Sequence, residues 1–454
     1  MYNQPTMKPD AAYNRALINL ALPLLVQFLF TNGLALVDAM LVGQLGDTAV
    51  AAVGLAGQVL FLLSLLYFGL GSGSGIFIAQ FWGRQDTASI RRVFGLNLVA
   101  NVLLGAVFTI LAQTLPEQIL GLLTRDPQVI AQGSVFLRTA SWGYIFNGIS
   151  GAIYMMLRGT ESVKVPMLVS AFALSCNTLL GYGLIFGRLG LPEMGIRGAA
   201  VAFAVSRLLE VVTVSAIISL RAPYNHMRPI FQPGREILRR YLRTTLPVAV
   251  NELAWALGMM TYTSIYAHIG TESVTATSIT STIENLAFVP FLALGNATAI
   301  LVGKKIGAGE PEMAYAYGQR SLKINLLLAF FVSAALLVVR GPILGIYQIS
   351  DAARANAQNL ILALAIALPF KSSNFASIVG VLRAGGDTRY TLMMEFATMW
   401  LYGVPAALIA AAVLHLPVYY VILFVYSEEL IKLALTLRRF RSRRWVHHLA
   451  ADLA

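Results

Sequence analysis

The sequence is poor in charge. Asp, Glu, Lys and Arg make up 12% of its 454 residues, against 57% hydrophobic; a soluble domain carries about twice that charged share. The shortage excludes a soluble enzyme or binding module and leaves a polytopic membrane protein. The chain has one cysteine, Cys176, which excludes an internal disulfide and a cysteine-built metal site and reads as a small buried apolar side chain. No HExxH, GxSxG or Cys/His cluster occurs, so a membrane enzyme has no nucleophile or metal constellation to work with. A recognisable selectivity filter is also missing, which argues against a channel. The opening MYNQPTMKPDAAYNRAL lacks a compact apolar region and a small-residue cleavage site, so no signal peptide is expected.

What is present is apolar length. Stretches close to the ~20 residues that cross a bilayer recur near 17–42, 50–80, 93–113, 130–156, 165–187, 197–220, 244–267, 273–302, 317–340, 357–382, 391–414 and 417–437. Twelve spans put both termini on one side. The net charge of +12 then reads as a topology signal. One set of connections holds Arg84, Arg91, Arg92, Arg158, Lys164, Arg221, Arg228, Arg235, Arg239, Arg240, Arg243, Lys304, Lys305, Arg320, Lys323, Arg383 and Arg389; RRFRSRR at 438–444 belongs with them. The opposite set holds few, among them Arg125, Arg188, Arg340 and Arg354. By the positive-inside rule both termini are cytoplasmic, in a cytoplasmic (inner) membrane, and anionic lipid heads suffice as partners for the basic residues without nucleic acid.

The two halves repeat each other. Leu22-Pro23 matches Leu246-Pro247, a shift of 247 − 23, or 224 residues. The same shift carries Gly46 to Gly270, Val50 to Val274, Ala52 to Ala276, Gly71 to Gly295 and Gly83 to Gly307; with one residue inserted, Leu157-Arg158 matches Leu382-Arg383. Matches on nearly one register mark a duplication. The expected fold is all-α, with 12 transmembrane helices in two pseudo-symmetric six-helix bundles: an N-lobe at 1–220, a cytoplasmic linker at 221–243 marked by Pro223, Pro229, Pro233 and Gly234, a C-lobe at 244–437 and a basic tail at 438–454. Six spans per copy make the copies parallel, an arrangement suited to two lobes rocking about a central cavity.

Ionisable residues within spans point to function, because burying their charge costs several kcal/mol or forces protonation. Asp38 follows a long apolar run interrupted by Gln27 and Asn32. Glu252, Glu284 and Lys371 fall near mid-depth in the second half. One reading makes Lys371 a structural ion pair with a glutamate; the other puts it in the cavity. Pairing leaves one carboxylate free for a cation, with Glu252 preferred and Glu284 second. Arg207 and Glu210 stand three apart on one helix face and read as a local salt bridge. His268 reads as an interfacial residue. Tyr154, Trp255, Tyr262 and Tyr266 are able to stack on planar cations, though aromatics also pack and anchor helices. GLGSGSG at 69–75 lies inside an apolar span with no preceding strand, which favours close helix packing over phosphate binding.

VDAMLVGQLGDTAVAAVG in the first span, NTLLGYGLIFGRLGLPEMGIRGAAVA at 177–202, LPVAVNELAW at 246–255 and GVLRAGGDTRY at 380–390 together resemble the multidrug and toxic compound extrusion (MATE) family, and the likeness runs from about Leu20 to about Leu435. The resemblance implies a V-shaped pair of lobes and efflux of organic, often cationic compounds against inward H⁺ or Na⁺. It also implies that Asp38 and the neighbouring Asn177 couple the cation, with Glu252 near the acid used in the second lobe. Gln27, Glu284, Lys371, Asn374, Trp255 and Tyr262 remain cavity candidates. Two departures remove oxygen ligands: Lys371 and Asn374 stand where several members carry an aspartate, and Gly181 where some carry Asp or Asn. Asp38 and Asn177 are left as the pair a sodium ion would use, and protons are favoured. No cofactor and no resident metal are expected, and a monomer is. The alternative is a lipid or lipid-linked oligosaccharide flippase of the same superfamily, whose pyrophosphate substrate would favour a basic cavity. A major-facilitator carrier shares the span count but not these phrases.

Overall fold

The computed structural model describes residues 9–220, 228–232, 234–347 and 349–449, which contain helices and no strand. Residues 1–8, Arg221, Pro223, Pro233 and the end of the tail from 450 lie outside the described residues.

The first half contains α1 (Pro9–Gly43), α2 (Asp47–Gly83), α3 (Thr87–Thr114), the short α4 (Pro116–Gly121), α5 (Pro127–Ala140), α6 (Trp142–Gly159), α7 (Lys164–Phe186) and α8 (Gly195–Leu220). The second contains α9 (Arg235–Ile269), α10 (Thr271–Gly307), α11 (Pro311–Gly345), α12 (Asp351–Ser377), α13 (Thr388–Phe396), α14 (Val404–Leu408) and α15 (Val418–Arg441). π-helical turns at Ile378–Arg383, Ala397–Gly403 and Ile409–Val413 extend α12 and run through α13 and α14, and α5 and α6 are parted only by Ser141. Twelve membrane-length segments result. Among the described residues, nine are long and apolar enough to cross a bilayer by composition alone. The remaining three fall short for visible reasons: α5 and α6 are broken pieces, α9 is diluted by Asn251 and Glu252, and α15 carries Glu428, Glu429 and Lys432.

The duplication is written into the helix boundaries. α2 and α10 are both 37 residues long and start and stop one repeat apart. Each is preceded by a glycine at positive φ, Gly46 at 99° and Gly270 at 149°, a backbone that a side chain would strain. Glycine serves close approach in GLGSGSG: a Cβ on Gly73 would lie 2.7 Å from the Thr245 backbone.

Two compact units form, and they do not follow the expected domain boundaries. One comprises Val26–Ala249; the other comprises α1 up to Leu25 together with the chain from Val250. In the first unit α7 packs on α8 and α3 on α6, around a core of Ala56, Leu63, Tyr67, Ala112 and Tyr144. What is described of the linker belongs to this unit rather than standing free. Ile230 donates its N–H to Arg91 O at 3.0 Å and Arg91 Nε reaches Arg228 O at 2.7 Å, while α9 is already helical from Arg235. In the second unit α12 packs against α10, α11 and α15. The start of α1 is docked there: Tyr13 is fully buried with its ring 4.6 Å from that of Tyr317, and Arg320 Nε donates to Asn14 Oδ1 at 2.9 Å. Beyond α15 the tail folds onto the same unit, with Trp445 fully buried and His447 N–H bonded to Gly385 O at 2.8 Å.

Candidate functional site

In the Val26–Ala249 unit, α1, α7 and α8 bring Asp38, Asn177 and Ser206 together. Asn177 Nδ2 donates to Asp38 Oδ1 at 2.6 Å, and Ser206 Oγ donates to Asn177 Oδ1 at 3.2 Å. Asp38 is half-buried and, among the described residues, forms no ion pair. Arg207, beside Ser206 on α8, is committed to Glu210 at 2.6 Å, and Tyr154 donates its hydroxyl to the other oxygen of Glu210 at 2.6 Å. The expected Arg207–Glu210 bridge is thus formed, and Tyr154 is buried in it. A second polar group lies further down α1. Gln27, 1% exposed, donates to Ser170 Oγ at 3.1 Å and accepts from Arg158 at 2.8 Å.

The unit beginning at Val250 holds its ionisable residues in two groups. Arg383 reaches Glu252 at 2.7 Å and Glu395 at 3.1 Å, and Asn251 Nδ2 also donates to Glu395, at 2.6 Å. The second group joins Lys371 to Glu284 and sets the Lys371 ammonium 4.9 Å from the centre of the Tyr426 ring. Asn374 donates to Glu429 at 2.7 Å, Lys432 bridges Glu428 at 3.2 Å and Glu429 at 3.4 Å, and Tyr262 donates to Glu428 at 2.9 Å. Trp255 is 38% exposed and lies outside both groups. Tyr262 stacks on Tyr266 at 6.5 Å. His268 is exposed, with Nδ1 2.7 Å from Ser264 O.

Three expectations change. Glu252, expected to be the free carboxylate, is held by Arg383. Arg158 and Arg383, counted from sequence as loop charges, turn into the helices because each closes a helix whose neighbours supply partners. Cys176 is half-buried rather than buried. Sequence reasoning also missed Arg383, Glu395, Glu428, Glu429 and Lys432. The signal for the last three was legible: acids at consecutive positions, with a lysine one helix turn on, in an otherwise apolar twelfth span.

Twelve duplicated membrane-length segments that bury ionisable side chains inside each unit suit a membrane transporter. The chain belongs to the MatE family, whose model matches residues 23–183 and 247–409. It is 24% identical over 447 residues to a Bacillus subtilis protein described as the uncharacterized transporter YisQ, covering 98% of both chains. It is 28% identical to the multidrug resistance protein NorM of Burkholderia vietnamiensis, covering 85% of this chain and 84% of that one. Among solved structures, a superfamily transporter from Pyrococcus furiosus superposes with TM-score 0.86 at 20% identity, over 95% of this chain and 96% of that one. An outward-facing multidrug resistance transporter of the family superposes with TM-score 0.85 at 20% identity, over 97% of this chain and all of that one.

Proposed function

We propose that the chain exports organic, often cationic compounds from the cytoplasm in exchange for protons, in preference to sodium, with Asp38 as the coupling carboxylate. The observation that carries this reading is the state of Asp38: half-buried, held by one neutral donor and by no cation. A carboxylate in that position has an uncompensated charge, which a proton or a cationic substrate is able to neutralise in turn. Binding of a proton from outside then favours the state that has released drug, and the two ligands exclude each other at one residue. Asn177 orients the carboxylate. Glu252 is a weaker candidate for direct coupling because Arg383 already neutralises it. The relatives named for multidrug resistance support the substrate class. In the two ionisable groups of the second unit the carboxylates Glu252, Glu284, Glu395, Glu428 and Glu429 outnumber Lys371, Arg383 and Lys432, which disfavours a pyrophosphate-linked lipid as cargo. A monomer in the cytoplasmic membrane with cytoplasmic termini completes the proposal.

The test is ethidium efflux from vesicles under an imposed ΔpH or ΔNa⁺. Asp38→Asn keeps the Asn177 contact but loses the titratable oxygen, so gradient-driven efflux should fall to background while Glu252→Gln retains a measurable rate. Undiminished efflux in Asp38→Asn would remove the assignment, and efflux driven by sodium alone would reverse the choice of ion.

A further inference from the structure

We propose that Arg158 is an anion-binding position in the Val26–Ala249 unit and takes the carboxylate of a zwitterionic organic substrate. The proposal deepens the efflux reading, on which it rests, by naming the substrate class.

The repeat itself supplies the argument. A shift of 224 residues sets Gln27 against Asn251 and Phe28 against Glu252; with the inserted residue that aligns Arg158 with Arg383, Ser170 falls against Glu395. The contacts obey the same correspondence. Asn251 donates to Glu395 at 2.6 Å, as Gln27 donates to Ser170 at 3.1 Å. Arg383 binds the carboxylates of Glu252 and Glu395. Arg158 meets instead the amide oxygen of Gln27 at 2.8 Å and the face of the Phe28 ring, its guanidinium carbon 5.1 Å from the ring centre. Nε is buried without a partner in both arginines, so the difference between the two sites is the replacement of two acids by Phe and Ser.

That replacement leaves Arg158 with no carboxylate partner among the described residues. A guanidinium held among helices without an anion bears a desolvation cost that an incoming anion relieves. Its planar fork matches a carboxylate, and the twin site shows a guanidinium in this frame answered by carboxylates, with one N–H to each of two. Snorkelling to lipid headgroups is not the geometry seen, because the side chain turns to Gln27, which is 1% exposed. Arg158 as a whole is half-buried although its Nε is enclosed. Gln27 and Asp38 stand eleven residues apart on α1, about three turns and so on one face, roughly 16 Å along the axis. One helix face thus offers an acid at Asp38 and, through Gln27, a base at Arg158. That pairing fits a molecule with separated positive and negative ends. A lipid phosphate presents the same anionic chemistry as the carboxylate, and the test separates them.

Two rhodamine dyes with the same ring cation serve as probes, one with a free carboxylate and one with that carboxylate as its methyl ester. Purified protein is titrated with each dye by fluorescence anisotropy, and gradient-driven uptake is measured in vesicles of phosphatidylcholine with or without phosphatidylglycerol. Arg158→Gln should weaken binding of the carboxylate dye by roughly tenfold or more, the scale of a lost charge-assisted contact. The ester should stay within about twofold, since it makes no such contact. Arg158→Lys, which keeps the charge without the fork, should fall between. Equal loss of both dyes would mark a structural role and overturn the proposal. So would an unchanged carboxylate dye, or an effect seen only with phosphatidylglycerol, which would make lipid phosphate the guest. Binding decides the point by itself; if neither dye moves under a gradient through the wild-type protein, it is the efflux reading that fails.

Discussion

Arg383 shows what a guanidinium needs when helices enclose it. Its side chain is 3% exposed and it is answered by Glu252 and Glu395. Removing one member of a buried ion pair costs about 3–5 kcal/mol, because the partner charge is left stranded. Arg383→Met strands two carboxylates, so it should lower the melting temperature in detergent markedly. Adding Glu252→Gln to it should recover part of the loss by removing one stranded charge. A melting temperature unchanged in Arg383→Met would show that the cluster contributes nothing to stability. Asp38 behaves oppositely: it has no cation to strand, so Asp38→Asn should leave stability near wild type while changing transport. Stability and transport are therefore expected to separate between Glu252 and Asp38, two carboxyl groups that the sequence alone presents as equivalent intramembrane acids.

Helix ends and connections carry the next layer. Gly95 on α3 lies beneath the linker: a Cβ there would come within 2.3 Å of Ile230 O. Gly95→Val must push the segment away and break the Ile230 N–Arg91 O bond, a change of about 1–3 kcal/mol if the site relaxes as overpacked cores do. Faster limited proteolysis within 228–232 is the expected result, and an unaltered cleavage rate would contradict it. The tail is pinned in another way. Asp387, just ahead of α13, accepts from Arg439 Nε at 2.6 Å, with His447 Nε2 3.7 Å away. Burial alone raises its carboxyl, but the nearby His447 and the hydrogen bonds and charge of Arg439 outweigh that and hold it below the ordinary carboxylate value. A lowered folded-state pKa stabilises the protein above the unfolded value and loses that contribution as pH falls through the folded one. The melting temperature gap between wild type and Asp387→Asn should therefore be widest near neutral pH and close below about pH 4. A gap that persists into acid would refute the assignment.

Across the whole chain, the repeat was the most legible feature. Glycines and prolines on one register predicted paired helices, and α2 and α10 obey that register at both ends. Asp38 with Asn177 was legible too, through phrases shared with a known family. The second unit was not, because its decisive pairs join residues 131 and 166 positions apart, Glu252 with Arg383 and Tyr262 with Glu428. No local pattern reports such a pairing. The unit boundaries escaped for the same reason: composition locates a polar linker, whereas packing assigns the start of α1 to the unit that begins at Val250. That assignment bears on how the protein is made. Asn14 meets Arg320 across 306 residues, and at ~5–20 residues per second synthesis of the intervening chain takes roughly 15–60 s. The opening turns of α1 leave the ribosome that long before the segment that receives them. Completion of the second unit is thereby tied to the survival of those few turns of α1.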